Sequence, residues 1–128
     1  MTDVPGSSEF ICGGVIAYTL DVKRDLLGLP DEGVLDQGVV SEAVACALAQ
    51  AARRVLGADW GVGITGYAGD GPGVRAEEVG LVWIAVAGPS GAAPVAECQR
   101  FGGGTPRATV KFRATQSALA LLRTCLMS

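Results

Sequence analysis

Apolar positions fall into two periods along the chain. Ile11 to Tyr18, ICGGVIAY, is β-branched and apolar and predicts a buried strand. Its Gly13-Gly14 pair predicts a bulge or a close backbone approach. Leu20 to Leu27 predicts a short helix with Asp21 in the first turn, Gly28 after its end and Pro30 as a stop. Residues 31–40 read as a loop or a helical turn. Ser41 then caps the strongest helical pattern, SEAVACALAQAARRVL, in which Val44, Ala45, Leu48, Ala52, Val55 and Leu56 recur at helical spacing. Arg53 and Arg54 stand at the negative end of its dipole and Gly57 closes it. Strands are predicted at Trp60–Ile64, Leu81–Ala87 and Val95–Phe101, with GPSGAAP turning between the last two. LVWIAVA is apolar throughout, so it reads as a strand covered on both faces. Thr105-Pro106 opens a closing helix with Val110, Ala114, Ala118, Leu121, Leu122 and Cys125 on one side. The order β α α β β β α predicts one layered α/β domain over residues 1–128, a mixed sheet flanked by helices.

Composition narrows the chemistry. Of 128 residues 49% are apolar and only 5% aromatic, so the core must be built from small aliphatics. The net charge is −3, and no Lys/Arg run exceeds the pairs Lys23-Arg24 and Arg53-Arg54. That argues against nucleic acid as a partner, because a phosphate backbone demands clustered cations. No signal sequence or membrane-length apolar run is present, so a cytoplasmic protein without a membrane partner is expected. Cys12, Cys46, Cys98 and Cys125 are irregularly spaced and read as reduced, mostly buried thiols. With no histidine and no C-x-x-C, neither a protein zinc site nor a histidine-based nucleophile can be assembled. A hydrolytic base would have to be lysine or tyrosine.

GVGITGYAGDGPG, residues 61–73, begins with the spacing G-x-G-x-x-G. In a dinucleotide-binding unit those glycines follow a strand and open a helix. Here Gly61 and Gly63 lie inside a strand, and no helical pattern follows Gly66. The Walker pattern fails as well, with Pro72-Gly73 where Lys-Ser/Thr should stand. What remains is Thr65-Gly66-Tyr67-Ala68-Gly69, a strand end entering a glycine turn. Spacing leaves two readings open: a set of N–H groups for an anion, or a tight connection.

Four blocks in order resemble the CinA C-terminal domain family, the nicotinamide-nucleotide amidohydrolases. TDVPGSS (2–8) and GGVIAYTL (13–20) resemble its GGVVAYSN strand and the turn before it. GVVSEAVACALAQAARRVLGAD (38–59) is similar to its GAVSEEVA…GARRRLGAD helix. TGYAG (65–69) with EVGLVW (78–83) resembles TGIAG…PVGTVW. The resemblance covers almost the whole chain. It implies hydrolysis of the amide of nicotinamide mononucleotide, without a cofactor, by a serine supported by tyrosine and lysine. It places the tyrosine on Tyr18 and the lysine on Lys23. Substrate contacts fall on Thr65, Gly66, Ala68, Gly69 and Arg107. It implies a pyridine mononucleotide as ligand; for a sheet built to be covered, the absence from this sequence of the family strand and helix described next predicts a homo-oligomer that fills the gap, or a poorly folded chain.

The chain departs from the family pattern in two places. The family serine stands in an E-S-C-T-G-G motif on a strand and helix ahead of the TDVPGSS turn, and none of the six serines here matches it. The expectation is therefore a domain truncated at its N-terminus and inactive as this chain. The alternative is a degenerate module that keeps nucleotide binding or assembly. The family's G-P-x-G-G is replaced by Gly69-Asp70-Gly71-Pro72-Gly73, which sets a carboxylate beside the expected phosphate and removes one N–H donor.

Overall fold

The computed structural model describes residues 1–128. Its sheet has three strands, β1 (Gly61–Gly66), β2 (Leu81–Ala87) and β3 (Val95–Arg100), in the order β1-β2-β3. Both pairings are antiparallel, with Gly63 opposite Ala85 and Ala85 opposite Ala96. Helix α1 (Glu42–Leu56) covers one face and α2 (Arg107–Met127) the other.

Alternation along the strands assigns the two faces. Val82, Ile84 and Val86 of β2 point to α2 and pack with its Val110, Ala114, Ala118 and Leu121. Ala85 and Ala87 point the other way, onto Ala45 and Ala49 of α1. That second contact is unusually close. A Cβ on Gly61 would stand 2.1 Å from the Ala49 carbonyl oxygen, and one on Gly63 would stand 2.2 Å from that of Ala45. The G-x-G spacing thus serves the approach of a helix backbone to a strand. Ser41 caps α1 by accepting the Val44 N–H at 3.2 Å, and Gly57 ends it in the left-handed region at φ 63°. A third apolar cluster, Leu27, Leu29, Leu35, Val44, Leu48 and Ala51, seats the N-terminal third of the chain against α1.

The α/β class and all three C-terminal strands agree with the sequence. Four details differ. First, Ile11–Tyr18 joins no sheet, so the sheet is antiparallel throughout and not mixed. The segment is apolar enough for a strand, but no neighbouring strand accepts its backbone bonds, and only Val15 and Ala17 pack inward. Second, the expected helix at Leu20–Leu27 is mainly a π-helical turn, Val22–Leu26, closed by the Leu27 N–H on Val22. Third, none of the four free cysteines is buried; Cys12 lies on the unpaired segment and Cys98 on the outer strand β3. Fourth, Pro106 rather than Thr105 stands at the N-cap position of α2, with no side-chain cap, and the Thr105 hydroxyl donates to the Phe101 carbonyl at 2.6 Å.

The close helix–strand approach yields a direct expectation. Gly63→Val must push α1 off the sheet and should cost at least about 3 kcal/mol, the upper range for core overpacking. Gly71→Ala, with nothing within 4 Å of its added Cβ, should stay within ~0.5 kcal/mol of the parent. Urea unfolding of both variants measures the difference.

Candidate functional site

Three loops meet at one end of the sheet: the exit of β1, the entry to β2 and the exit of β3. Backbone bonds tie them together. Tyr67 N–H donates to Leu81 at 2.9 Å, Gly80 N–H to Tyr67 at 2.7 Å, and Phe101 N–H to Gly80 at 2.9 Å. Gly80 is left-handed at φ 85°, and a side chain there would collide with the Gly102 backbone. These loops and the first turn of α2 enclose an open cleft of about 540 Å³, lined by Ala68, Gly69, Asp70, Ala76, Val79, Gly103, Thr105 and Arg107.

Arg107 is the cation of this cleft. Its guanidinium lies against Gly69, so closely that a Cβ on Gly69 would stand 2.8 Å from one Nη. No carboxylate lies within 4 Å of it; the ion pairs of the chain are made by Arg24 and Arg75. Arg75, near the same end, is already occupied by Glu78 at 2.9 Å. The N–H groups of Arg107 and Ala108 have no backbone acceptor, as the first turn of a helix requires. An unpaired guanidinium and glycine backbone in one cleft, with free amides at the adjoining start of α2, form an arrangement suited to an anion. Asp70, next along the chain from Gly69 and in the same lining, adds a negative charge that disfavours one.

The sequence-derived residues separate into groups. Ala68, Gly69 and Arg107 come together in the cleft. Thr65 is buried beside it on β1, and its hydroxyl donates to the Val39 carbonyl at 2.6 Å, tying the loop before α1 to the strand. Gly66 lies outside the lining; a Cβ there would meet the Val82 side chain at 2.7 Å, so its lack of a side chain serves the β1–β2 pairing. Tyr18 is 89% exposed and Lys23 only 9% exposed, and neither lines the cleft. Lys23 sits in the π-helical turn, and burial alone lowers its pKa. Asp70, expected as a carboxylate beside the anion, lines the cleft as well; Ala76, Val79, Gly103 and Thr105 were not anticipated. The GGGTPR turn at 102–107 was the available signal for two of them.

The architecture defines a three-layer α/β domain with an anion-suited cleft at one end of its sheet. A model of the CinA C-terminal domain matches residues 1–126, and the chain belongs to that family. It is 46% identical over 123 residues to a CinA-like protein of Synechococcus sp. (strain RCC307), covering 96% of this chain and 29% of that protein. It is 48% identical over 126 residues to a CinA-like protein of Anaeromyxobacter sp. (strain K), covering 98% and 30%. The chain thus spans less than a third of the length of these curated relatives. Among solved structures, a competence or damage-inducible protein from Enterobacter asburiae superposes with TM-score 0.84 at 25% identity, over 96% of this chain and 75% of that one. The competence/damage inducible protein CihA from Agrobacterium tumefaciens does so with TM-score 0.74 at 33% identity, over 84% and 64%. No helix is long and apolar enough to cross a membrane.

Lys23 generates a test by pH. Its folded pKa lies below the ordinary lysine value of 10.5 because burial disfavours the ammonium. Between the lowered folded value and 10.5 the unfolded chain binds more protons, so unfolding free energy should rise with pH across that window. Below the window the cost of the buried charge is fully present. Lys23→Met should remove this alkaline rise, measured as the difference between the two chains in urea midpoint against pH.

Proposed function

We propose that this chain is a nicotinamide mononucleotide amidohydrolase-type domain that holds the phosphate end of a pyridine mononucleotide in the Arg107 cleft. The observation that carries the reading is the guanidinium of Arg107, seated on Gly69 at the start of α2 with no carboxylate partner. A phosphate there would meet a bidentate cation and the free N–H groups of the first helical turn. Thr65 would act at one remove, holding the β1 exit in place through Val39. Family membership supports the amide-hydrolysing class, and the site chemistry supports the ligand.

Turnover by this chain is a separate matter. A tyrosine–lysine pair assists a nucleophile by moving its proton. Here no serine stands in the family's nucleophile motif, and the Tyr18 hydroxyl projects into solvent without a hydrogen-bond partner. We therefore propose binding without hydrolysis for these 128 residues.

Titration calorimetry with nicotinamide mononucleotide should give a measurable affinity. Arg107→Ala should lose about 1.5–3 kcal/mol, the range for hydrogen bonds to a charged group. Asp70→Asn should tighten binding by removing the like charge from the cleft. Heat of binding that is absent in the parent and in Asp70→Asn would end the nucleotide reading. Incubation of the purified chain with nicotinamide mononucleotide should release no ammonia above the uncatalysed rate. Release that is lost in Lys23→Met would instead establish an active site that does without the family serine.

A further inference from the structure

The cleft that holds Arg107 also holds a charge of the opposite sign. Asp70 and Arg107 are the two charged residues of its lining, and no ion pair joins them. Neither side chain makes a hydrogen bond within the chain. Both therefore remain available to a ligand in the same cleft, and their side-chain charges cancel.

The two groups ask for different chemistry. The guanidinium has donors only, and the free N–H groups at the start of α2 are donors as well. Asp70 is the ionised acceptor of the lining. A fully ionised phosphate ester only accepts hydrogen bonds, so it suits the donors and meets Asp70 with repulsion alone. The singly protonated ester differs in two ways. It carries one negative charge instead of two, and it has an O–H that a carboxylate can accept. An O–H···O⁻ bond of that kind is charge-assisted and short. We infer that the Arg107 cleft selects the singly protonated phosphate of its ligand. Asp70 accepts the P–O–H hydrogen bond, while Arg107 and the amides hold the unprotonated oxygens. The family turn G-P-x-G-G carries no carboxylate at this place, so the preference belongs to Asp70 of this chain.

The inference rests on the phosphate reading of the cleft and adds a dependence on pH. A phosphate ester takes up its second proton at about pH 6. The ionisable groups around the cleft are Arg107 on α2, Tyr67 at the exit of β1, and Arg75 with Glu77 and Glu78 ahead of β2. The exit of β3, residues 101–106, adds none. The chain has no histidine, the side chain that ordinarily changes charge between pH 5 and 8. The proton that matters in that range is the ligand's own.

Titration calorimetry with nicotinamide mononucleotide at pH 7.5 and pH 5.5 tests this in the parent and in Asp70→Asn, whose exposed side chain has no partner to lose. Parent affinity should rise roughly twentyfold on acidification, following the protonated fraction of the ester. Near pH 7, buffers of different ionisation heat should show uptake of about one proton per nucleotide bound. Asp70→Asn should bind more tightly than the parent at pH 7.5, lose that advantage at pH 5.5 and take up no proton. Inorganic phosphate should bind the parent at pH 5.5 at least about tenfold more tightly than sulfate, which has no proton to donate, and Asp70→Asn should lose that preference. Parent affinity that is flat or falls with acid, while Arg107→Ala still weakens binding, would overturn the inference and leave the phosphate reading standing. Proton uptake retained in Asp70→Asn would overturn it too, by assigning the acceptor elsewhere. Nucleotide binding absent from both chains at both pH values would end the phosphate reading and this inference with it.

Discussion

The fold turns on one contact, the backbone of α1 resting directly on Gly61 and Gly63 of β1. The added-Cβ distances to the Ala49 and Ala45 carbonyls leave no room for any side chain on those two residues. The buried residues on that face are correspondingly small, Ala45 and Ala49 on the helix and Ala85 and Ala87 on the central strand, with Trp83 packed at their margin. Bulk is moved to the other face, where Val82, Ile84 and Val86 meet α2. The two layers therefore differ in kind. One is a close backbone contact rich in dispersion but poor in apolar area, and the other is an ordinary aliphatic core. Thr65 continues the tight face by two residues. There its hydroxyl reaches the loop ahead of α1 and links the helix entry to the strand exit.

That exit matters because the site is built on it. β1 leads into Ala68 and Gly69, β3 leads into Gly103 and Thr105, and Gly80 holds both loops through Tyr67 and Phe101. Glycine at position 69 does for Arg107 what Gly63 does for α1, letting a large group lie on bare backbone. The cation is positioned without a carboxylate to neutralise it, and it sits where α2 leaves its first N–H groups free. Asp70 works against this arrangement from within the same cleft. The balance of one guanidinium, several amides and one carboxylate sets the affinity for an anion.

Much of this was legible in the sequence. Local signals with a short physical range carried over: the Ser41 cap, Gly57, the aliphatic run of β2 and the α2 stripe at Val110, Ala114, Ala118 and Leu121. Arg107, Ala68 and Gly69 were identified as neighbours by resemblance, and they share one cleft. What did not carry over depends on partners far along the chain. ICGGVIAY has strand composition, but composition does not say whether another strand lies alongside. Cysteine burial, the Thr105 bond to Phe101 and the lining by Ala76 and Val79 are likewise set by tertiary packing. The glycines of β1 show the reverse. Their spacing imitates a nucleotide fingerprint, and only the position of α1 reveals that it records a helix contact.

The proposed pyridine mononucleotide would place its phosphate between Arg107 and the glycine loops at one end of the sheet. Two-dimensional ¹H–¹⁵N spectra, including the arginine Nε region, recorded during addition of nicotinamide mononucleotide test it most directly. Saturable shifts are expected at the amides of Gly69, Asp70, Gly103, Thr105, Arg107 and Ala108 and at the Arg107 Nε–H. Inorganic phosphate should reproduce them more weakly. Saturable shifts that leave these groups still and appear elsewhere, or no saturable shifts at all, would contradict it.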